Sequence, residues 1–290
     1  MGLQVATPMT ICALTPDKSA AFRYDGPPMN WSMISDRSTV ELYGGVFGLA
    51  ATMNPDSHVH YLRRVSKTAI GLFPEWDEIG DPGASFAVTA ESVYGLTPDR
   101  SQVWRYDGSP MSWTQIGTAA AQIYGGAWGL VATDPTTGAV FHYLGSPFQW
   151  EQIGGPGASF VVTAESVYAL TPDKAQVYRY DGTPMSWTKV GNAAGRINAG
   201  PWGLVGETPD SGDLYHYLGS PDNWEHIGGP GHSFAVTSDT VYGLTPDKSA
   251  VYRYNGTPNS WTLVGGPADS IMAAGRVFNA GDIPGPNLPH

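Results

Sequence analysis

HYLGSPFQWEQIGGPGASF at residues 142–160 returns, with four changes, as HYLGSPDNWEHIGGPGHSF at residues 216–234, an offset of 74. The anchor of the phrase is a Trp that opens W-x-x-[IV]-G or a close variant. It stands at Trp31, Trp76, Trp113, Trp150, Trp187, Trp224 and Trp261, and the last five intervals are each 37 residues. The first interval is 45 because LRRVSKTAIGLFPEW carries eight extra residues. The offset of 74 is therefore two units of 37, and the units come in two kinds that alternate. Units one, three, five and seven resemble VYALTPDKAQVYRYDGTPMSWTKVG (167–191). Units two, four and six resemble AWGLVATDPTTGAVFHYLGSPFQWEQIG (127–154).

A self-similar period of this length points to a repeat architecture. Helical repeats need unbroken apolar spacing of three and four, and Gly or Pro interrupts here every few residues. Each unit instead holds four short strand candidates; in the third they are SFAVTA, SVYGLT, QVWRYD and SWTQIG, separated by turn residues. Folding the last hairpin about GSPM sets Tyr106 against Trp113, Arg105 against Thr114, Trp104 against Gln115 and Val103 against Ile116. Apolar residues then fall on both faces, so the sheet is covered on both faces. Repeated four-stranded sheets stacked on their neighbours describe an all-β ring. The expectation is a seven-bladed β-propeller with blades at 1–35, 36–80, 81–117, 118–154, 155–191, 192–228 and 229–265. Residues 266–282 resemble the opening strands of a second-kind unit, with Ile271 matching Ile197. They are read as a partial extra repeat packed outside a ring that closes within 1–265, with 266–290 ending in an extended tail.

The chain has 290 residues, 41% hydrophobic and 14% charged, with 37 Gly and 24 Pro. Its formal net charge of −11 gives no basic footprint for nucleic acid and disfavours anionic membrane surfaces. No apolar window is long enough for a membrane helix, and no signal peptide is visible, so the expected location is cytoplasmic, or secreted without such a signal. The single Cys12 excludes an intrachain disulfide and reads as a small core hydrophobe.

The W-x-x-[IV]-G anchors, the small-residue segments after them (GGPGASF, GTAAAQI), the V-[YW]-[GA]-L or W-G-L strand and the V-[YFW]-[RH]-Y strand resemble the tectonin repeat of tectonin-type propeller lectins. The resemblance covers residues 1 to about 265. It implies glycan binding at several related sites; no family binding residue transfers position by position.

Comparing units separates scaffold from type-specific residues. The seven Trp, and the third-strand aromatics Tyr24, Tyr61, Tyr106, Tyr143, Tyr180, Tyr217 and Tyr254, read as blade-sealing scaffold. Before that Tyr the first kind has Arg23, Arg105, Arg179 and Arg253, and the second kind has His60, His142 and His216. After the anchor Trp the first kind has Ser or Thr, and the second has Asp77, Glu151 and Glu225. The hairpin arithmetic pairs His142 with Glu151 and His216 with Glu225, either as surface charge pairs or as a polar lining for inter-blade grooves. Trp128 and Trp202, with Phe47, take the strand place that Tyr94, Tyr168 and Tyr242 take in the first kind. Trp104 is the sole Trp at its position. These aromatics serve packing or the apolar face of a sugar ring.

The Thr-Pro-Asp turns read as ordinary turn chemistry rather than calcium loops. His58 and His60 beside Asp56 lack a third ligand, so no metal is expected, nor any cofactor. No nucleophile triad, phosphate loop or paired-carboxylate signature is found, which argues against an enzyme. The candidate glycan-binding residues are Trp104, Trp128, Trp202, Arg105, Arg179, Arg253, His142, His216, Glu151 and Glu225. The leading function is a multivalent lectin. The alternatives are a protein-interaction propeller and a propeller enzyme with one axial site.

Overall fold

In the computed structural model the described residues are 8–68 and 71–275. They form seven four-stranded antiparallel sheets and no helix. Six sheets run in chain order, from the axis outward. The third blade, for example, comprises Ser85–Val88, Val93–Leu96, Val103–Tyr106 and Trp113–Gly117.

The first blade is different and corrects the expectation for the C-terminus. The N-terminal unit supplies three strands, Met9–Leu14, Ala21–Tyr24 and Trp31–Ser35. The fourth is Ser270–Gly275, paired antiparallel to Met9–Leu14 from Met9↔Gly275 to Leu14↔Ser270. Ile271 and Ala274 are buried, so this segment is the innermost strand of the ring rather than a piece packed outside it. The propeller therefore extends to Gly275, and residues 1–7 and 276–290 lie outside the described residues.

The anchor motif is the joint between blades. Trp150 Nε1 donates to the Ile116 carbonyl of the preceding blade at 2.8 Å, and the other six anchors repeat the bond, ending with Trp31 to Val264 at 2.7 Å. The Gly after the apolar residue lets that ring lie down: a Cβ on Gly117 would come within 3.1 Å of Trp150 Nε1. The same Ile116 carbonyl also accepts from the Phe148 N–H at 2.8 Å. Phe148 holds φ +62°, as do Met29, Met111, Met185, Asp222 and Asn259 within a few degrees.

A bulge makes that carbonyl available. Tyr106, Arg105 and Trp104 pair as the arithmetic predicts, but Val103 pairs with Gly117 rather than Ile116. The extra residue leaves the ladder and turns toward the neighbouring blade. Similar shifts occur in the outer hairpins of the other blades.

The alternation has a steric cause. Second-kind inner strands end in Gly: a Cβ on Gly45, Gly126 or Gly200 would collide with the carbonyl oxygen of Val88, Val162 or Val236 of the next blade. First-kind inner strands carry the Val and need no such gap. Blade seven is followed by Ser270–Gly275, which has second-kind inner sequence but joins first-kind outer strands.

Asp269 pins this seam. Its carboxylate meets Lys248 Nζ of blade seven at 2.9 Å and Lys18 Nζ of blade one at 3.3 Å. Both ammonium groups, Lys248 foremost, hold its carboxyl below the usual carboxylate range. A pKa depressed in the folded state stabilises above the unfolded value and is lost as pH falls through the folded one. Acidification from about pH 5 downward is therefore expected to lower the melting temperature of the wild type more steeply than that of Asp269→Asn. Parallel acid limbs in the two thermal series would show that the seam does not depend on this charge.

Candidate inter-blade binding clefts

Two classes of cleft open between blades. The first repeats where a first-kind blade meets the next. Between blades three and four, Glu91 and Tyr94 face Trp128, His142, Tyr143 and Gly145 around a cavity of about 280 Å³. Tyr143 Oη is buried without a hydrogen-bond partner, and so is Tyr217 Oη, its counterpart 74 residues on. Burial pushes the Tyr143 phenol up, and Arg105 beside it draws it partly back; Arg179 does the same for Tyr217.

Arg105 and Arg179 stand on the third strand because register sets them opposite Tyr94 and Tyr168. Their guanidiniums are about one-third exposed and only loosely held, by Asp107 at 3.3 Å and Asp181 at 3.5 Å. Thr114 and Thr188, the residues after the anchor Trp, occupy the other oxygen of these carboxylates at 2.8 Å. In blade seven Asn255 replaces the Asp, and Arg253 turns to Asp239 at 3.1 Å. Each cleft thus presents guanidinium donors, a nearby acid (Glu91, Glu165 or Asp239) and an aromatic wall, a set that can take hydroxyl groups of either hydrogen-bonding sense.

The second-kind candidates are placed otherwise than expected. Trp128 and Trp202 are not on the strand: Val131 and Val205 occupy the position of Tyr94, opposite His142 and His216. The indoles arrive from the preceding turn and stack on the imidazoles, at 4.1 Å for Trp128–His142 and 3.8 Å for Trp202–His216. Each also meets a Tyr of the next blade edge-on, Tyr180 and Tyr254. Burial holds both imidazoles below their usual pKa. His142↔Glu151 and His216↔Glu225 are paired in register, yet among the described residues neither forms an ion pair. These His and Trp residues fill the space between blades, and the two acids lie at its outer margin.

Blade two departs by one residue. Tyr61, not His60, stands opposite Asp77, and Leu62 takes the scaffold position of Tyr143. His60 instead joins the row of Phe141, and His58 reaches Glu78 at 2.8 Å. The Thr-Pro-Asp turns are turn chemistry: Asp99 accepts from Thr97 at 2.7 Å and from the Ser101 N–H at 3.0 Å.

The second class of cleft lies on the other side of each blade, over a row that pairs Phe86, Gly95, Trp104 and Gln115. The third-strand member of this row is Phe22, His60, Trp104, Phe141, Tyr178, Tyr215 or Tyr252, beside Gly or Ala on the second strand in every blade. Sequence reading singled out Trp104 here but missed that Phe141 and Tyr215 share its row; counting along the strands from the anchor would have found them. Between blades two and three the cleft encloses about 560 Å³, and its equivalent between blades six and seven about 160 Å³.

The axial channel has a volume of about 270 Å³. Among the described residues its lining is Gly, Ala, Val, Ile, Met, Pro and Phe, with Asn198 the one hydrogen-bonding side chain.

No family model matches the sequence, and no curated protein is detectably similar to it. Solved structures share the fold. Apo AztD from Citrobacter koseri superposes with a TM-score of 0.62 at 11% identity, over 93% of this chain and 98% of that one. A chain of the complex of yeast RCC1 (Prp20) with Kap60 superposes with a TM-score of 0.56 at 10% identity, over 85% of this chain and 78% of that one. At such identities the likeness concerns the β-propeller fold alone.

Proposed function

We propose that the protein is a multivalent carbohydrate-binding propeller whose repeated sites are the clefts between a first-kind blade and its successor. The observation that carries this reading is that the buried hydroxyls of Tyr143 and Tyr217, unpartnered like that of Tyr254 at the other kind of joint, each lie beside a loosely held Arg and an aromatic wall. A buried hydroxyl without a partner costs about 1–3 kcal/mol, and a ligand hydroxyl entering the cleft would relieve it.

Each site is small and wet, so a monosaccharide should bind weakly, whereas sites round one rigid ring should gain about 10²–10⁴ in avidity on a dense glycan surface. The test is a broad glycan array, followed by binding to an immobilised polyvalent form of any hit. Changing Arg105, Arg179 and Arg253 together to Met is expected to abolish the avidity gain. Silence across the array would sink the reading.

A second reading has one observation in its favour. Met29, Met111, Phe148 and Met185 stand at equivalent hairpin turns and are more than half exposed. Adaptable apolar side chains of this kind suit a protein partner. Binding that survives enzymatic removal of glycans from an interacting protein would support docking over sugar recognition.

A further inference from the structure

The clefts of the second class are unequal, and the one between blades two and three stands apart in its chemistry. We infer that it is a separate, single site for one neutral sugar ring, built by Asp81, Gly95, Gln102, Trp104 and Met111. The inference rests on the saccharide reading for its class of ligand, but not on the repeated clefts.

Size gives the first argument. About 560 Å³ falls within the span of about 300–1,000 Å³ usual for ligand pockets, whereas the blade-seven cleft at about 160 Å³ falls below it. The strands of the two blades pair in the same register, so side chains make the difference. Asp81 lines the cavity and is exposed; its counterparts in the other first-kind blades are Gly155, Gly229 and Gly266, each facing open space. Gln102 is replaced in blade seven by Ala250, Trp104 by Tyr252 and Met111 by Asn259. In blade five the floor residue Gly95 is replaced by Ala169, whose methyl occupies the base of the cleft.

The residues present form a complementary set. Trp104 lies on the cavity wall with Nε1 donating to Gln102 Oε1 at 3.1 Å, which fixes the indole plane and turns the Gln102 amide N–H₂ outward as a donor. An indole face with an exposed Met beside it takes the C–H face of a pyranose. The Asp81 carboxylate accepts from two adjacent hydroxyls and the Gln102 amide donates to a ring or hydroxyl oxygen. Asp81 also repels a carboxylate-bearing sugar, so acidic saccharides are selected against.

Titration calorimetry on the full chain with methyl β-D-glucopyranoside, N-acetylglucosamine and glucuronate reads the site directly. The expected result is one tighter site per chain for at least one neutral probe, with glucuronate weaker by about tenfold or more. Asp81→Gly copies the residue of three other blades and leaves the fold unstrained; it should weaken that site by about tenfold. Blade five already holds Gln176 and Met185 at the matching places. The combined changes Gly155→Asp, Ala169→Gly and Tyr178→Trp should therefore add a second tight site. Wild-type affinity in Asp81→Gly, or glucuronate bound as well as the neutral probes, overturns the inference and leaves the repeated sites standing. Tight binding that responds to Asp81→Gly and not to the triple Arg change upholds it as a site separate from the repeated clefts. No heat with any probe, together with a silent array, overturns both.

Discussion

A chain ending at Gly265 is expected not to fold cooperatively. Removing residues beyond it deletes the inner strand Ser270–Gly275 and leaves Met9–Leu14, buried along its whole length, without its partner at the axis. The loss includes six register pairs, the buried side chains of Ile271, Ala273 and Ala274, and the Asp269 pin. Burying one Ile alone is worth about 1.5–3 kcal/mol, and the total approaches the 5–15 kcal/mol by which a domain is stable at all. Blade seven would also lose the strand against which its inner edge packs. Circular dichroism melts and size-exclusion profiles of chains ending at Gly265 and at Gly275 decide the matter. A truncation at Gly265 that keeps a sharp transition within a few degrees of the longer chain would refute this account of closure.

Trp150→Ala should cost about 3–5 kcal/mol, the usual penalty for emptying a large aromatic site in a core. The ring packs against the cluster of Tyr94, Ile116, Leu130 and Tyr143, and its N–H satisfies the Ile116 carbonyl. No neighbour can close over the gap, because Gly117 beneath it carries no side chain. His142→Ala removes a ring stacked on Trp128 and breaks no ion pair, so its cost should stay near about 1 kcal/mol. Denaturant titrations of the two variants give the comparison. Equal shifts in midpoint would mean that the anchor Trp is not the joint between blades.

The ring and its seven anchors were legible in the sequence because the fixed residues of W-x-x-[IV]-G serve the joints on the two sides of each blade. The Trp donates, the carbonyl of the aliphatic residue accepts, and the Gly makes room. Each joint takes parts from two successive copies, so the motif recurs round the ring, with Ser35 the one departure from Gly. The errors arose where local spacing no longer reports geometry. The bulge before Val103 shifts one pair and cannot be seen from alternation alone. The eight extra residues of unit two moved the true counterpart of His142 from His60 to Tyr61. Trp128 and Tyr94 fill alike spaces from different strand positions, so matching them by their following Gly-Leu misplaced the indole by three residues. Closure by Ser270–Gly275 pairs segments from opposite ends of the chain, and no local pattern encodes that. Among the binding candidates, register alone sets Arg105, Arg179 and Arg253 opposite Tyr94, Tyr168 and Tyr242, whereas the place of Asp81 on a cleft wall follows from how two blades meet and not from any strand pattern.

Two alternating kinds of blade and an odd number of blades cannot both be satisfied round a circle. Parity demands one mismatched neighbour pair, as a two-colour necklace with seven beads must show. The chain places the outer mismatch at the joint of its two ends, and the composite blade, second-kind at the axis and first-kind outside, moves the axial mismatch one joint on, where Ser270–Gly275 meets Thr39–Gly44 of blade two. A consequence follows for how copies of such a protein can be assembled. Adding or removing a pair of units, 74 residues, keeps the ring odd and the mismatch in being, whereas a change of one unit makes the ring even, and an even ring can alternate without a break. Circular permutants opened in any other blade keep the composite and its two mismatches, and a blade one rebuilt wholly from either kind would bring both mismatches to a single joint.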